Sequence, residues 1–225
     1  MNADGKLDLI LAAQREDNVY VMLGKGDGTF QPAAVFGAGK STHRIIAGDW
    51  NRDGKLDLAT TGSEGASVLL GNGNGTFKPA VAYAAGESLE GILSGDWNGD
   101  GKPDLATITG TGTVLGTVHV LIGKGDGTFL PAQHYGAHHT GASTVLSVDL
   151  DHDGKLDLVM SGGYLSRMGW MRGNGDGTFL APIDHLTEQS PVGVFYGDWN
   201  QDGQPDLALI HRYPAKISIL QPLCR

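Results

Sequence analysis

The chain repeats itself about every fifty residues, and this period limits its fold more than any other feature. "GDWNRDGKLDLAT" (residues 48–60) returns as "GDWNGDGKPDLAT" from Gly95, "VDLDHDGKLDLVM" from Val148 and "GDWNQDGQPDLAL" from Gly197. "MNADGKLDLI" opens the chain as a further copy that lacks its first acidic position. Aligned on the third acidic position, Asp4, Asp53, Asp100, Asp153 and Asp202 are spaced by 49, 47, 53 and 49 residues. A second marker keeps the same register: "GKGDGTF" from Gly24, "GNGNGTF" from Gly71, "GKGDGTF" from Gly123 and "GNGDGTF" from Gly173. Two markers in phase point to a solenoid or a propeller.

Within one period the segments are short. "LDLATTG", "ASVLLGNG", "FKPAVAYAAG" and "EGILSGDW" are rich in Val, Leu, Ile, Thr and aromatics, and Gly, Asn, Asp and Pro separate them. The 36 glycines recur between these segments instead of gathering in one linker, which reads as many tight turns joining many strands. No glycine-free stretch long enough for a helix carries a 3.6-residue period, so a helical solenoid is excluded. Four antiparallel strands per repeat form the blade of a β-propeller, in which neighbouring blades cover each other's faces.

The expected fold is therefore all-β, a propeller domain spanning residues 1–225 with repeats at about 1–39, 40–86, 87–137, 138–187 and 188–225. The first repeat lacks its first strand and the last, ending "KISILQPLCR", lacks its fourth. Eighteen strands result, against about 20 for five complete blades, so an open arc or an imperfectly closed ring is expected. Unpaired ends favour self-association.

The acidic turns have the composition of metal sites. Positions 1, 3, 5 and 9 supply side-chain oxygens, position 7 supplies a backbone carbonyl, and glycine at position 6 permits the bend. The candidate ligands are Asp49, Asn51, Asp53, Lys55 (C=O) and Asp57; Asp96, Asn98, Asp100, Lys102 (C=O) and Asp104; Asp149, Asp151, Asp153, Lys155 (C=O) and Asp157; and Asp198, Asn200, Asp202, Gln204 (C=O) and Asp206. The opening turn keeps Asn2, Asp4, Lys6 and Asp8 without a position 1, and is expected to be weak or empty. Hard oxygen donors without Cys or His select Ca²⁺. An EF-hand would need glutamate at position 12, where Thr60, Thr107, Met160 and Leu209 stand instead. Asp and Asn also cap tight turns without metal, but several inward carboxylates per turn would repel if empty. At millimolar calcium and extracellular-type affinities, each site contributes about 0.4 to 1.4 kcal/mol, or roughly 2 to 6 over four.

These residues resemble the FG-GAP repeat, also called the VCBS repeat, of integrin α-subunit propellers, fungal lectin propellers and bacterial secreted proteins. The likeness covers essentially the whole chain. It implies a calcium-stabilised propeller with the metal between the first and second strands of each blade. Departures are Trp50, Trp97 and Trp199 where Phe is commoner, Leu150 in the fourth copy, and the incomplete ends.

Other features narrow the function. Fifteen of the 25 acidic side chains lie in the repeated turns, so the net charge of −9 belongs to that device, and it argues against nucleic acid as a partner. No apolar run is long enough for a membrane span. The opening "MNADGKLDLI" has no basic region followed by an apolar one and so reads as no signal peptide, but because the chain opens in mid-repeat this weighs little against the extracellular or cell-surface setting expected. Cys224, the single cysteine, forms no internal disulfide and has no positioned histidine beside it.

There is no G-x-S-x-G, and the "GKGDGTF" turns lack the lysine–serine/threonine ending and following helix of a phosphate loop. They read as Asp-Gly hairpins, with Phe30, Phe77, Phe129 and Phe179 in the core. The repeated tryptophans read as packing between blades, with sugar stacking as the functional alternative. Ten acids lie outside the metal turns, which leaves a glycosidase carboxylate pair open.

Variable polar loops opposite the metal turns are the expected recognition face. They nominate His43, His138, His139, Tyr164, Arg167, Arg212 and Tyr213 as contacts to carbohydrate or a protein surface, although each is also an ordinary loop residue. The adjacent His138 and His139 are a weak signal for a transition metal. The function expected is a non-catalytic, calcium-binding adhesion or recognition module; the alternatives are a scaffold for a polysaccharide-acting enzyme and a ligand-free spacer.

Overall fold

A computed structural model describes residues 1–109, 115–140, 142–162, 166–188 and 191–221, with the side chains of 115, 137–140, 142 and 143 excluded. It contains five antiparallel sheets in sequence order. The first blade is β1 (Leu9–Ala13), β2 (Asn18–Met22) and β3 (Ala34–Gly37); the second is β4 (Arg44–Gly48), β5 (Asp57–Gly62), β6 (Gly65–Leu69) and β7 (Val81–Tyr83). The third is β8 (Leu89–Gly95), β9 (Asp104–Thr109), β10 (Leu115–Leu121) and β11 (Gln133–Thr140). The fourth is β12 (Ala142–Val148), β13 (Asp157–Gly162), β14 (Arg167–Met171) and β15 (Ile183–Leu186), and the fifth is β16 (Pro191–Gly197), β17 (Asp206–His211) and β18 (Lys216–Leu220).

The three-stranded terminal blades and four-stranded middle blades match the expected division, and the arc is open. Strands β4, β8, β12 and β16, which open the second to fifth blades, lie side by side along the inner edge of the arc. Arg44 Nε donates to the Glu90 carbonyl there at 2.9 Å.

Each central strand alternates its two faces between neighbouring blades. Leu58, Leu105, Leu158 and Leu207 point back to the preceding blade, whereas Ala59, Ala106 and Val159 point forward. Both faces are covered in the middle blades, so β5, β9 and β13 are buried along almost their whole length. The core is thus a stack of inter-blade layers and not one central nucleus.

The tryptophans belong to these layers, as expected for Trp50 and Trp97, which are 1% and 2% exposed. Trp50 Nε1 donates to Ser94 Oγ at 3.2 Å and Trp97 Nε1 to Ser147 Oγ at 2.9 Å, each reaching the next blade. Trp97 also meets Phe179 edge-on at 6.2 Å. Trp199 has no following blade among the described residues and is 51% exposed. Phe30 corrects the expectation of a core residue for the mirror-image reason: it faces away from the second blade and is 39% exposed, while Phe77, Phe129 and Phe179 are buried.

The glycine before each tryptophan has a steric cause. A Cβ on Gly48, Gly95 or Gly197 would lie 2.9, 2.7 or 2.9 Å from the ring of Trp50, Trp97 or Trp199. In the fourth blade both members change together, to Val148 and Leu150. There Trp170 on β14 packs beside the layer formed by Leu150, Val194 and Leu207.

Candidate functional site

The acidic turns lie at one end of the blades and fold alike. Their fourth residue is left-handed (Ala3, Arg52, Gly99, His152, Gln201), as is the glycine at the sixth (Gly5, Gly54, Gly101, Gly154, Gly203). This backbone aims successive amides at the leading carboxylate. Asp49 accepts from Asp53 N at 3.1 Å and Gly54 N at 2.9 Å, and Asp96, Asp149 and Asp198 repeat both bonds. The third-position amide oxygens of Asn51, Asn98 and Asn200 accept from the same fifth-position N–H. Asp53, Asp100, Asp153 and Asp202 each accept from the backbone of residue 7. Positions 1, 3 and 5 are thereby drawn to one side of the loop, and in the fourth turn one oxygen each of Asp149, Asp151 and Asp153 lie within 4.8 Å of one another.

The seventh residue carries a further contact that its backbone role did not suggest. Lys55, Lys102 and Lys155 place Nζ 3.1, 2.8 and 3.3 Å from the fifth-position carboxylate. Their aliphatic stems lie against the glycine turn, where a Cβ on Gly73, Gly125 or Gly175 would come within 2.8, 2.8 or 3.0 Å. The Lys102 ammonium and amide hold the Asp100 carboxyl below its ordinary range.

The ninth-position aspartates are buried and bind backbone on both oxygens. Asp57 accepts from Trp50 N at 3.0 Å and Gly71 N at 2.7 Å, and Asp104 from Trp97 N at 3.0 Å and Gly123 N at 2.8 Å. Asp157 accepts from Leu150 N at 3.1 Å, Trp170 Nε1 at 3.0 Å and Gly173 N at 2.8 Å. Each carboxylate therefore ties the acidic turn to the glycine turn of its own blade. Glycine is required there because a Cβ on Gly71, Gly123 or Gly173 would strike the carbonyl of Leu56, Pro103 or Leu156 at 2.1 to 2.2 Å. Burial pushes the carboxyls of Asp57, Asp104 and Asp157 up.

The end turns differ. Asp206 accepts from Trp199 N at 3.0 Å, but its buried Oδ1 has no partner, since no glycine turn follows β18 among the described residues. In the first turn Asp8 accepts from the Met1 amino group and from Gly24 N, both at 2.9 Å, while Asn2 bonds Asp4 at 2.9 Å and Lys6 N donates to Asp4 at 2.9 Å. Glycine turns also bridge blades: Gly127 N donates to the Trp50 carbonyl at 3.1 Å and Gly177 N to that of Trp97 at 3.0 Å.

The oxygen-only donors of the second, third and fifth turns fit a hard cation such as calcium. The fourth turn is different, because the Arg172 guanidinium already pairs with Asp151 and stands 3.7 Å from Asp153.

At the opposite end, inter-blade linkers and the turns between second and third strands knit together. Ser63 N donates to the Lys40 carbonyl at 2.9 Å, Ser88 N to that of Ser63 at 3.2 Å, and Ser41 N to Asp17 Oδ1 at 2.8 Å. His43 stands in this layer, with Nδ1 3.9 Å from Glu90 and Nε2 3.4 Å from Gln14 Nε2. Arg167 is held by Asp184 at 3.0 Å. Arg212 and Tyr213 occupy the exposed turn between β17 and β18, Tyr213 being 66% exposed. Tyr164 lies outside the described residues, and His138 and His139, expected in a loop, fall within β11 with side chains outside the described set. A histidine pair that sequence reading missed sits elsewhere: His119 and His134 on paired strands β10 and β11 approach through Nδ1 at 2.7 Å, and burial pushes His119 down to about 4.

A family described as the FG-GAP-like repeat matches residues 1–60, 49–107, 96–160 and 149–209. The fold is similar to that of a lectin from Agrocybe aegerita, solved for its specific recognition of non-reducing terminal N-acetylglucosamine, with a TM-score of 0.63 and 21% identity over 98% of this chain. It is also similar to the V. cholerae biofilm matrix protein Bap1, with a TM-score of 0.59 and 16% identity over 98% of this chain. The chain spans 64% of the lectin chain and 36% of the Bap1 chain. A comparison with curated proteins finds no match. No helix among the described residues is long and apolar enough to cross a membrane.

Proposed function

The chain belongs to the FG-GAP-like repeat family, and from that premise we propose that it is a non-catalytic, extracellular, calcium-stabilised propeller module that recognises carbohydrate. The observation carrying this reading is the division of labour between the two ends of the blades. At one end, convergent oxygens at Asp49, Asp96 and Asp198 with their partner residues build the turns. At the other, exposed and chemically varied loops sit on a scaffold fixed by the inter-blade layers. The likeness to a lectin that binds N-acetylglucosamine supports carbohydrate as the ligand class, and the likeness to a biofilm matrix protein supports an extracellular setting.

A bound calcium ion would supply positive charge and oxygen coordination that offset the repulsion of the turn carboxylates. The chain's own part is to pre-arrange them: the fifth, sixth and seventh backbone amides orient the side chains, and the ninth aspartate anchors the loop to the blade. At the recognition end, Arg212 and Tyr213 offer the planar donor and the aromatic face that sugars use, and Arg167 and His43 add polar contacts. Association of two copies through the uncovered ends belongs to the same proposal. Trp199 and Phe30 are the exposed halves of the contact that Trp97 and Phe179 complete inside the chain.

A glycan array in calcium tests the reading. Binding without release of reducing ends is expected and would be weakened by Arg212→Ala or Tyr213→Ala. Turnover of an oligosaccharide would favour an enzyme scaffold instead, and absence of any glycan ligand would favour a protein partner or a spacer. Sedimentation velocity of Trp199→Ser against the unmodified chain tests the association.

A further inference from the structure

Four blades share a position immediately before the glycine turn, filled by Leu23, Leu70, Ile122 and Arg172. In the first three the apolar side chain reaches the glycine turn of the next blade. A Cβ on Gly75, Gly127 or Gly177 would come within 2.9, 2.6 or 2.5 Å of Leu23, Leu70 or Ile122. Arg172 has no such glycine turn in front of it among the described residues. Its guanidinium turns instead onto the acidic turn of its own blade, with Nη2 paired to Asp151 Oδ2 and 3.7 Å from Asp153 Oδ2. The Trp170 ring, its centroid 6.0 Å from Arg172 Cζ, stands beside the guanidinium, and Trp170 is itself fixed by its bond to Asp157.

The same blade departs from the others in one further place. Position 3 is Asn51, Asn98 and Asn200 in the other complete turns and Asp151 in this one. The extra carboxylate and the extra cation thus occur together, and they touch.

We infer that Arg172 is the resident cation of the fourth turn, so that this turn is held without calcium and binds it more weakly than the turns led by Asp49, Asp96 and Asp198. The inference rests on the calcium reading of those other turns. Two effects oppose each other. A fourth carboxylate would raise calcium affinity through ligand charge. The guanidinium occupies Asp151 Oδ2, an oxygen that a third-position ligand would offer, and it brings a second positive charge to a turn whose fifth-position carboxylate already faces a lysine ammonium, as Asp53 and Asp100 do in their own turns. A planar guanidinium on a carboxylate is a strong, charge-assisted contact, so the Arg172 effect prevails while Arg172 is present and the charge effect prevails once it is removed.

Calcium titration by isothermal calorimetry of the unmodified chain, Arg172→Leu and Arg172→Gln tests this. Leu restores the residue type of the neighbouring blades; Gln keeps a polar side chain at this half-exposed position if the apolar one disturbs folding. Both variants are expected to gain about one equivalent of calcium, or to tighten the weakest site by about tenfold, the effect of one charge-assisted pair. Equal sites in all complete turns of the unmodified chain, or unchanged isotherms in both variants, would overturn the inference and leave the calcium reading intact. No calcium bound by any of the three proteins would overturn the calcium reading, and this inference with it.

Discussion

Asp57 and Gly71, 14 residues apart, are joined by a 2.7 Å hydrogen bond from the glycine amide to Asp57 Oδ1, while Oδ2 of the same carboxylate accepts from Trp50 N. One buried side chain therefore ties both repeated turns of the blade together, whatever else the acidic turn binds.

Asp57→Asn retains the shape but turns an NH₂ group towards a backbone N–H. The unsatisfied buried donor is expected to cost about 1 to 3 kcal/mol in urea denaturation, with similar losses for Asp104→Asn. Asp206→Asn should cost clearly less, because Asp206 Oδ1 accepts no N–H that the amide NH₂ would face. Equal losses at all three positions would contradict this account of the bridge.

Position within the arc decides what an identical residue is worth. Trp97→Ala is expected to cost about 3 to 5 kcal/mol, since it removes a buried ring and the bond to Ser147. Trp199→Ala should fall within about 0.5 kcal/mol, as for other exposed substitutions. Iodide quenching should correspondingly reach Trp199 and spare Trp50 and Trp97. A large loss for the monomer of the Trp199 variant would mean that its ring is covered.

These contrasts also show what the sequence could and could not disclose. The strands, their grouping by fours and the incomplete ends were legible because every blade repeats the same turn chemistry. The burial of Trp50 and the exposure of Trp199 were not distinguishable, because local sequence is the same and only the neighbouring blade differs. Asp57 read as a ligand because its spacing suits one. Its bond to Gly71 depends on how β5 and β6 return to the same end of the blade, and the only sequence trace is the fixed phase of the two markers. Arg172 was not singled out in the sequence; its signal is that the equivalent residues are Leu23, Leu70 and Ile122. His138 and His139 read as a loop, but β11 runs on through them to Thr140, with the register to β10 shifting between Gly136 and Thr140.

The glycine turns set an acid dependence separate from the metal turns. Hydrogen bonds from the hydroxyl and then the amide of Thr29, Thr128 and Thr178 lower the carboxyls of Asp27, Asp126 and Asp176 below their ordinary value of 3.8. A folded value below the unfolded one means that this stabilisation is fully present above the unfolded value and is lost as pH falls through the folded value. The second blade supplies the control, since Asn74 makes the same two bonds to Thr76 at 3.0 and 2.6 Å. Asp27→Asn, Asp126→Asn and Asp176→Asn combined should therefore leave the neutral-pH melting temperature nearly unchanged and flatten its fall below about pH 4. An unaltered acid profile would remove these turns from the account.

The central claim is that the acidic turns of an FG-GAP-like propeller are structural calcium staples, and the melting temperature at 1 mM free calcium against excess EDTA tests it most directly. With three complete turns free of a resident arginine, the expected gain is about 1 to 4 kcal/mol, or several degrees for a chain of this size. Asp49→Ala combined with Asp96→Ala and Asp198→Ala should abolish it. A melting temperature that is the same in calcium and in EDTA would contradict the claim.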